Sequence, residues 1–133
     1  MEKTKSISKA IKPKVKELPW GVSICVDLYE CNSDLISSEV HIREYVQKLC
    51  KLMDVKTYGA CHVVHLGENL KVSGFSMFQL IETGSISGHF VNQSQTAYIN
   101  IFSSIPFYEE RVTTNAKEFF EAKKSTLQKN IRR

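Results

Sequence analysis

Apolar residues in this chain fall into short runs whose spacing switches between two and three-to-four. From Trp20 to Tyr29 the β-branched residues Val22, Ile24 and Val26 alternate with smaller or polar ones, which predicts a strand. Asn32-Ser33-Asp34 predicts a turn. Ser37 or Ser38 can cap a helix, with Glu39 near its positive end. Ile42, Tyr45, Val46, Leu49, Leu52 and Met53 then recur at helical spacing, so that helix runs to about Asp54 with one buried face. Val55 to Leu66 reads as a second strand, Gly67-Glu68-Asn69 as a hairpin turn and Lys71 to Glu82 as a third strand. Ser85 to Val91 is the fourth. After a turn at Asn92 to Gln95, the fifth runs from Thr96 to Ser103, with Ala97, Ile99 and Ile101 on one face. Pro106 opens a helical stretch from about Tyr108 to Lys124, with Val112, Ala116, Phe119 and Phe120 on one side. Thr126 to Arg133 predicts a last, edge strand.

The order β-α-β-β-β-β-α-β, with short turns between successive strands, favours an antiparallel sheet covered on one face by two amphipathic helices. The expected fold is therefore an α+β two-layer sandwich. The second sheet face keeps apolar residues, which suggests packing against another subunit.

The 133 residues suit one domain, and 42% hydrophobic content is enough for a core and too much for a disordered chain. No apolar run is long enough to span a membrane, and no apolar stretch follows the first lysines, so neither a membrane span nor a secretory signal is expected. The net charge of +4 is unevenly placed: residues 1–16 hold six lysines against Glu2, leaving 12 basic and 13 acidic residues elsewhere. Residues 1–18 thus read as a flexible basic tail, residues 19–133 as the folded domain, and nucleic acid is not the expected partner. Cys25, Cys31, Cys50 and Cys61 form no CxxC pair, so reduced thiols and a cytoplasmic location are expected. Cys61, His62 and His65 lie close in sequence, but no second cluster completes a tetrahedral set, and no metal is expected.

Asp27-Leu28-Tyr29-Glu30-Cys31, at the end of the first strand, resembles the "DLYGC" start of the prokaryotic S-adenosylmethionine decarboxylases. Val72-Ser73-Gly74 before an apolar strand, Ile86-Ser87-Gly88-His89 beside that family's "ISIH", and Asn100-Ile101-Phe102-Ser103-Ser104 beside its "DIFTC" continue the resemblance in order over residues 20–125. It implies S-adenosylmethionine as ligand and a homo-oligomer with sites near subunit interfaces. It also implies a cofactor made from the chain itself: a serine attacks the preceding peptide bond, the chain splits, and the serine becomes a pyruvoyl group that serves as electron sink during decarboxylation.

Counted back from His89, the family serine falls on Gly84 and the glutamate before it on Thr83. The family cysteine falls on Ser104 and the motif aspartate on Asn100. Glycine has no hydroxyl with which to attack a peptide bond, so no cofactor is expected in that register, and a serine at 104 is a weak proton donor. Three readings follow. In the first, the chain cleaves S-adenosylmethionine without a pyruvoyl group: the substrate carboxylate attacks its own γ-carbon and expels methylthioadenosine, leaving homoserine lactone, a reaction that needs positioning alone. Small phage enzymes of this reaction class are similar in size; a phage origin would place the protein in host cytoplasm. Candidate catalytic residues are His89, to orient a carboxylate, Glu68 and Tyr58; the ammonium calls for a carboxylate, with Glu68 and Glu82 as the options, and the sulfonium or adenine for an aromatic face, with Tyr58 and Tyr29 as the options. Candidate binding residues are Glu82, Tyr29, Ser87 and Ser104. The second reading is a decarboxylase of polyamine biosynthesis, self-processed before Ser85 or trapped as a precursor by Gly84. The third is a non-catalytic partner that regulates an active decarboxylase.

Overall fold

The computed structural model describes residues 19–133; the predicted tail at 1–18 lies outside them. Strand β1 (Gly21–Tyr29) leads into a single helical turn, α1 (Ser33–Ile36), and then α2 (Glu39–Met53). Strands β2 (His62–Leu66), β3 (Gly74–Ile81), β4 (Gly84–Val91) and β5 (Thr96–Ser103) follow, then α3 (Glu109–Phe119) and β6 (Lys124–Arg132). The strands form one antiparallel sheet in the order β2-β3-β4-β5-β1-β6. The sequence order thus gives an α+β fold with β6 at an edge, as its pattern predicts.

Alternation along the strands divides the sheet. Ile24, Val26, Leu28, Met77, Ile81, Ile86, Phe90, Ala97, Ile99 and Ile101 are buried under the helices. Helix α2 starts where Ser38 Oγ accepts from the His41 amide at 3.1 Å, and ends at Asp54, whose φ of 55° turns the chain out of the helix. Its face of Ile42, Tyr45, Val46, Leu49, Cys50 and Met53 is buried, and it packs on α3, β2 and β3. An aromatic cluster ties the helices to the sheet: Phe120 lies 5.0 Å from Tyr45 and 5.2 Å from Phe90, centroid to centroid. His41 Nε2 donates to the Phe119 carbonyl at 2.7 Å.

The Tyr45 hydroxyl is fully buried in this cluster without a hydrogen-bond partner among the described residues. Burial drives its proton affinity far above that of an ordinary phenol. Tyr45→Phe removes an unsatisfied polar atom and keeps the ring, so it is expected to leave stability unchanged or raise it by about 1 kcal/mol, measured by urea unfolding.

Four boundaries differ from the sequence pattern. The third strand starts at Gly74 rather than Lys71, because the loop is still turning where the Val72 amide donates to the Asn69 carbonyl at 3.0 Å. Asn32-Ser33-Asp34 is not merely a turn: Asn32 Oδ1 accepts from the amides of Asp34 and Leu35, at 2.9 and 3.2 Å, and this cap draws residues 33–36 into a helical turn. The second strand does not run unbroken from Val55. Thr57 bridges Ile81 and the Tyr58 amide donates to the Leu80 carbonyl, but the chain then leaves the ladder at Gly59 (φ 78°) and pairs again only from His62 opposite Phe78. Buried Gln79 holds the excursion, its Nε2 donating to the carbonyls of Gly59 and Leu80. The last helix stops at Phe119 rather than Lys124, because Glu121 at φ 51° redirects the chain so that β6 starts at Lys124.

Candidate active site

The sheet face away from the helices carries the resembled motifs, and its cross-strand rows define what lies together. One row runs Val64, Ser76, His89, Tyr98, Asp27 across β2, β3, β4, β5 and β1. The next runs His62, Phe78, Ser87, Asn100, Cys25, and a third runs Leu80, Ser85, Phe102, Ser23. Neighbouring strands lie about 4.8 Å apart and rows about 7 Å apart.

On the β2–β3–β4 part of this face an open groove of about 550 Å³ is lined by His62, Val64, Leu66, Ser76, Phe78, Ser87 and His89. That is within the range of small-ligand sites. Its walls are largely apolar, and His89 is its best-oriented polar group: Nδ1 shares a 2.9 Å hydrogen bond with Ser76 Oγ. This bond fixes the ring and leaves Nε2 for a ligand.

The remaining candidates are spread around this groove. Ser87 lies in it, one row from His89. Glu68 is exposed in the β2–β3 loop, two residues past Leu66 at one end of the groove. That loop turns at Gly67, whose φ of 92° and 2.9 Å approach of the Val72 carbonyl to any added Cβ require glycine. Tyr58, 69% exposed, is held beside Leu80 at the other end, about 13 Å along the sheet from the His89 row. Glu82 is exposed on the β3–β4 turn, where its amide donates to the Lys56 carbonyl. Tyr29, at the far end of β1, places its hydroxyl 3.5 Å from Asp27 Oδ2. Ser104 follows β5 and its amide donates to the Thr83 carbonyl at 2.8 Å. Of the candidates only His89 and Ser87 line the groove; Glu68, Tyr58, Glu82, Tyr29 and Ser104 do not.

Position 84 is shaped against a side chain. It pairs with Ile81 and Ser103, and a Cβ added there would lie 2.0 Å from the Phe102 carbonyl oxygen. Beside it Thr83 Oγ1 and the buried Ser103 Oγ share a 2.8 Å hydrogen bond, and Ser103 Oγ accepts from the Ile105 amide at 3.1 Å. A serine at 84 would require β4 or β5 to shift from this backbone. Ser85 points to the opposite face, the one that carries Ser87 and His89.

Sequence reasoning missed two features. Asp27 stands in the His89 row, two strands away across Tyr98, and is a carboxylate on this face; its place in the Asp27-Leu28-Tyr29 motif was the available signal. Trp20 stacks on Phe102, centroids 5.7 Å apart and planes within 9°; no sequence pattern pairs residues so far apart in the chain. Among the described residues no three His, Cys, Asp or Glu side chains gather as metal ligands, and no helix is long and apolar enough to cross a membrane.

Glu30 stands where the resembled motif has glycine, and its φ is 54°. Glu30→Gly is expected to stabilise the fold by about 1 kcal/mol, read as a rise in denaturation midpoint, since a non-glycine side chain in left-handed backbone is strained. The ion pair it gives up, to Lys124 at 3.9 Å, is exposed and offsets little of that gain.

Residues 22–133 match a family model described as S-adenosylmethionine decarboxylase. Among solved structures, the adenosylmethionine decarboxylase from Aquifex aeolicus VF5 superposes with a TM-score of 0.73 at 20% identity, over 86% of this chain and 92% of that one. At that identity the likeness speaks for the fold. No curated protein matches the sequence.

Proposed function

The chain belongs to the S-adenosylmethionine decarboxylase family, and from that premise we propose that it binds S-adenosylmethionine in the β2–β3–β4 groove and cleaves it without a pyruvoyl group, to methylthioadenosine and homoserine lactone. The observation that carries this reading is glycine where the family has its cofactor-forming serine, on a backbone where a Cβ at position 84 would come within 2.0 Å of the Phe102 carbonyl oxygen.

The reaction fits the groove's chemistry. The substrate carboxylate oxygen forms a bond to the γ-carbon while the carbon–sulfur bond breaks and its electron pair stays on sulfur. Carboxylate and sulfonium charges both disappear, no proton moves, and the ammonium is untouched. Loss of two opposite charges is favoured where water is scarce, so largely apolar walls lower the barrier. Three side chains are assigned tasks. His89, set by Ser76, holds the carboxylate in attacking position; Glu68, in the loop beyond the groove, takes the ammonium; Tyr58, at the opposite end, offers an aromatic face toward the adenine. The groove is open in one chain, and Val64, Leu66, Phe78, Leu80 and Tyr98 on the same face are 41–54% exposed. A second copy packed over this face would bury them and exclude water from the substrate.

The assembly has its own test. Cys25 is exposed on this face, while burial pushes the Cys31 and Cys50 thiols up to about 11. Iodoacetamide labelling at neutral pH is expected to spare Cys31 and Cys50 at every concentration, and to reach Cys25 only on dilution. Rapid Cys25 labelling of the concentrated protein would count against an interface on this face.

Product analysis tests the reaction. Methylthioadenosine and homoserine lactone are expected in equal amounts, without carbon dioxide. Release of carbon dioxide from a chain cut between Gly84 and Ser85 would favour the second reading, decarboxylation. The observation favouring it is that Ser85 shares a face with His89. Against it, the Gly84–Ser85 peptide lies in a strand paired on both sides.

A further inference from the structure

At the corner of the sheet formed by the start of β1 and the ends of β5 and β6, aromatic and cationic groups meet on the same face as the substrate groove but outside its lining. Trp20 is 66% exposed and lies nearly parallel to Phe102. The Trp20 amide donates to the Arg132 carbonyl at 2.7 Å, which ties the corner to β6. The Arg132 guanidinium lies 5.9 Å from the centre of the Phe102 ring. These three residues and Arg133 line a depression of about 270 Å³ with no acidic side chain in its lining. Among the described residues no carboxylate pairs with Arg132 or Arg133, whereas Arg43 is paired with Glu39 and Lys129 with Glu109.

S-adenosylmethionine, with a sulfonium, an ammonium and one carboxylate, is net positive, so two guanidiniums favour it less than a ligand of net negative charge. The corner is well suited to a planar base carrying an anion. The indole face stacks a base, and arginine offers paired donors to phosphate oxygens. We propose that this corner is a second ligand site that stacks a nucleobase on Trp20 and holds its phosphate with Arg132 and Arg133. The shared chemistry is a base with its phosphate, whether from a free nucleotide or from a single strand.

Trp20 is the only tryptophan in the chain, so its fluorescence reports on this corner alone. The full-length protein is titrated with AMP, adenosine, tripolyphosphate, UMP, a uridine dodecamer and S-adenosylmethionine. AMP is expected to quench Trp20 saturably, with adenosine roughly tenfold weaker for want of the phosphate contact. Arg132→Gln, an exposed change whose folding is checked by circular dichroism, is expected to weaken AMP by a similar factor. A dodecamer that binds more tightly than UMP, with an affinity that falls steeply with salt, identifies a strand as the source; parity identifies a free nucleotide. The proposal is overturned if AMP gives no saturable quenching, if tripolyphosphate quenches equally, if Arg132→Gln changes nothing, or if S-adenosylmethionine quenches Trp20, since the corner would then belong to the substrate. Because substrate cleavage is read by its products and this site by Trp20, either can fail without the other.

Discussion

Gly84→Ser, which reinstates the family's serine, is expected to leave the polypeptide uncut and to lower its stability by roughly 2–4 kcal/mol. The added Cβ would meet the Phe102 carbonyl at 2.0 Å and its carbon at 2.8 Å, both backbone atoms of the paired strand β5. Relief requires β4 and β5 to part where the Thr83–Ser103 hydrogen bond and the Ser104 amide hold the turn. A self-processing enzyme strains its scissile peptide toward an attacking hydroxyl; here the same turn is pinned by ordinary backbone and hydroxyl bonds. Intact mass and a thermal melt read the outcome together. A serine variant that splits into two fragments, the second blocked at its first residue, would mean that the turn retains its processing geometry and that glycine alone silences it.

His89→Ala is expected to reduce methylthioadenosine formation about a hundredfold while the fold is kept, because the ring is exposed on the sheet and supports no core packing. Ser76→Ala removes only the 2.9 Å bond that orients the ring, so a smaller loss is expected. Unchanged turnover in His89→Ala would move the chemistry out of the groove, with the Asp27–Tyr98 end of the same row as the next place to look.

The two-period and helical patterns placed every strand, because one buried face leaves a strict alternation in β4 and β5 and a clean stripe on α2. What the pattern did not carry was local and geometric. Asn32 reads as a turn residue until its side chain is seen capping two amides. Val55–Leu66 reads as one strand because its composition is uniformly β-forming; the break is imposed by Gln79, which captures the Gly59 carbonyl from a neighbouring strand. The groove was half legible. The apolar residues on both faces of β3, Met77 and Ile81 on one side and Phe78 and Leu80 on the other, signal a sheet wanting cover on both sides. His89 and Ser87 were found through their motif. Ser76 and Asp27 come beside His89 only through cross-strand register, which no local window contains.

The proposed function requires an uncut chain that still holds the family's substrate. Isothermal titration of the assembled protein, its mass first confirmed as one intact polypeptide, measures this directly. Saturable heat on addition of S-adenosylmethionine, with His89→Ala binding more weakly, is the predicted result. No heat from an intact, assembled sample would contradict it.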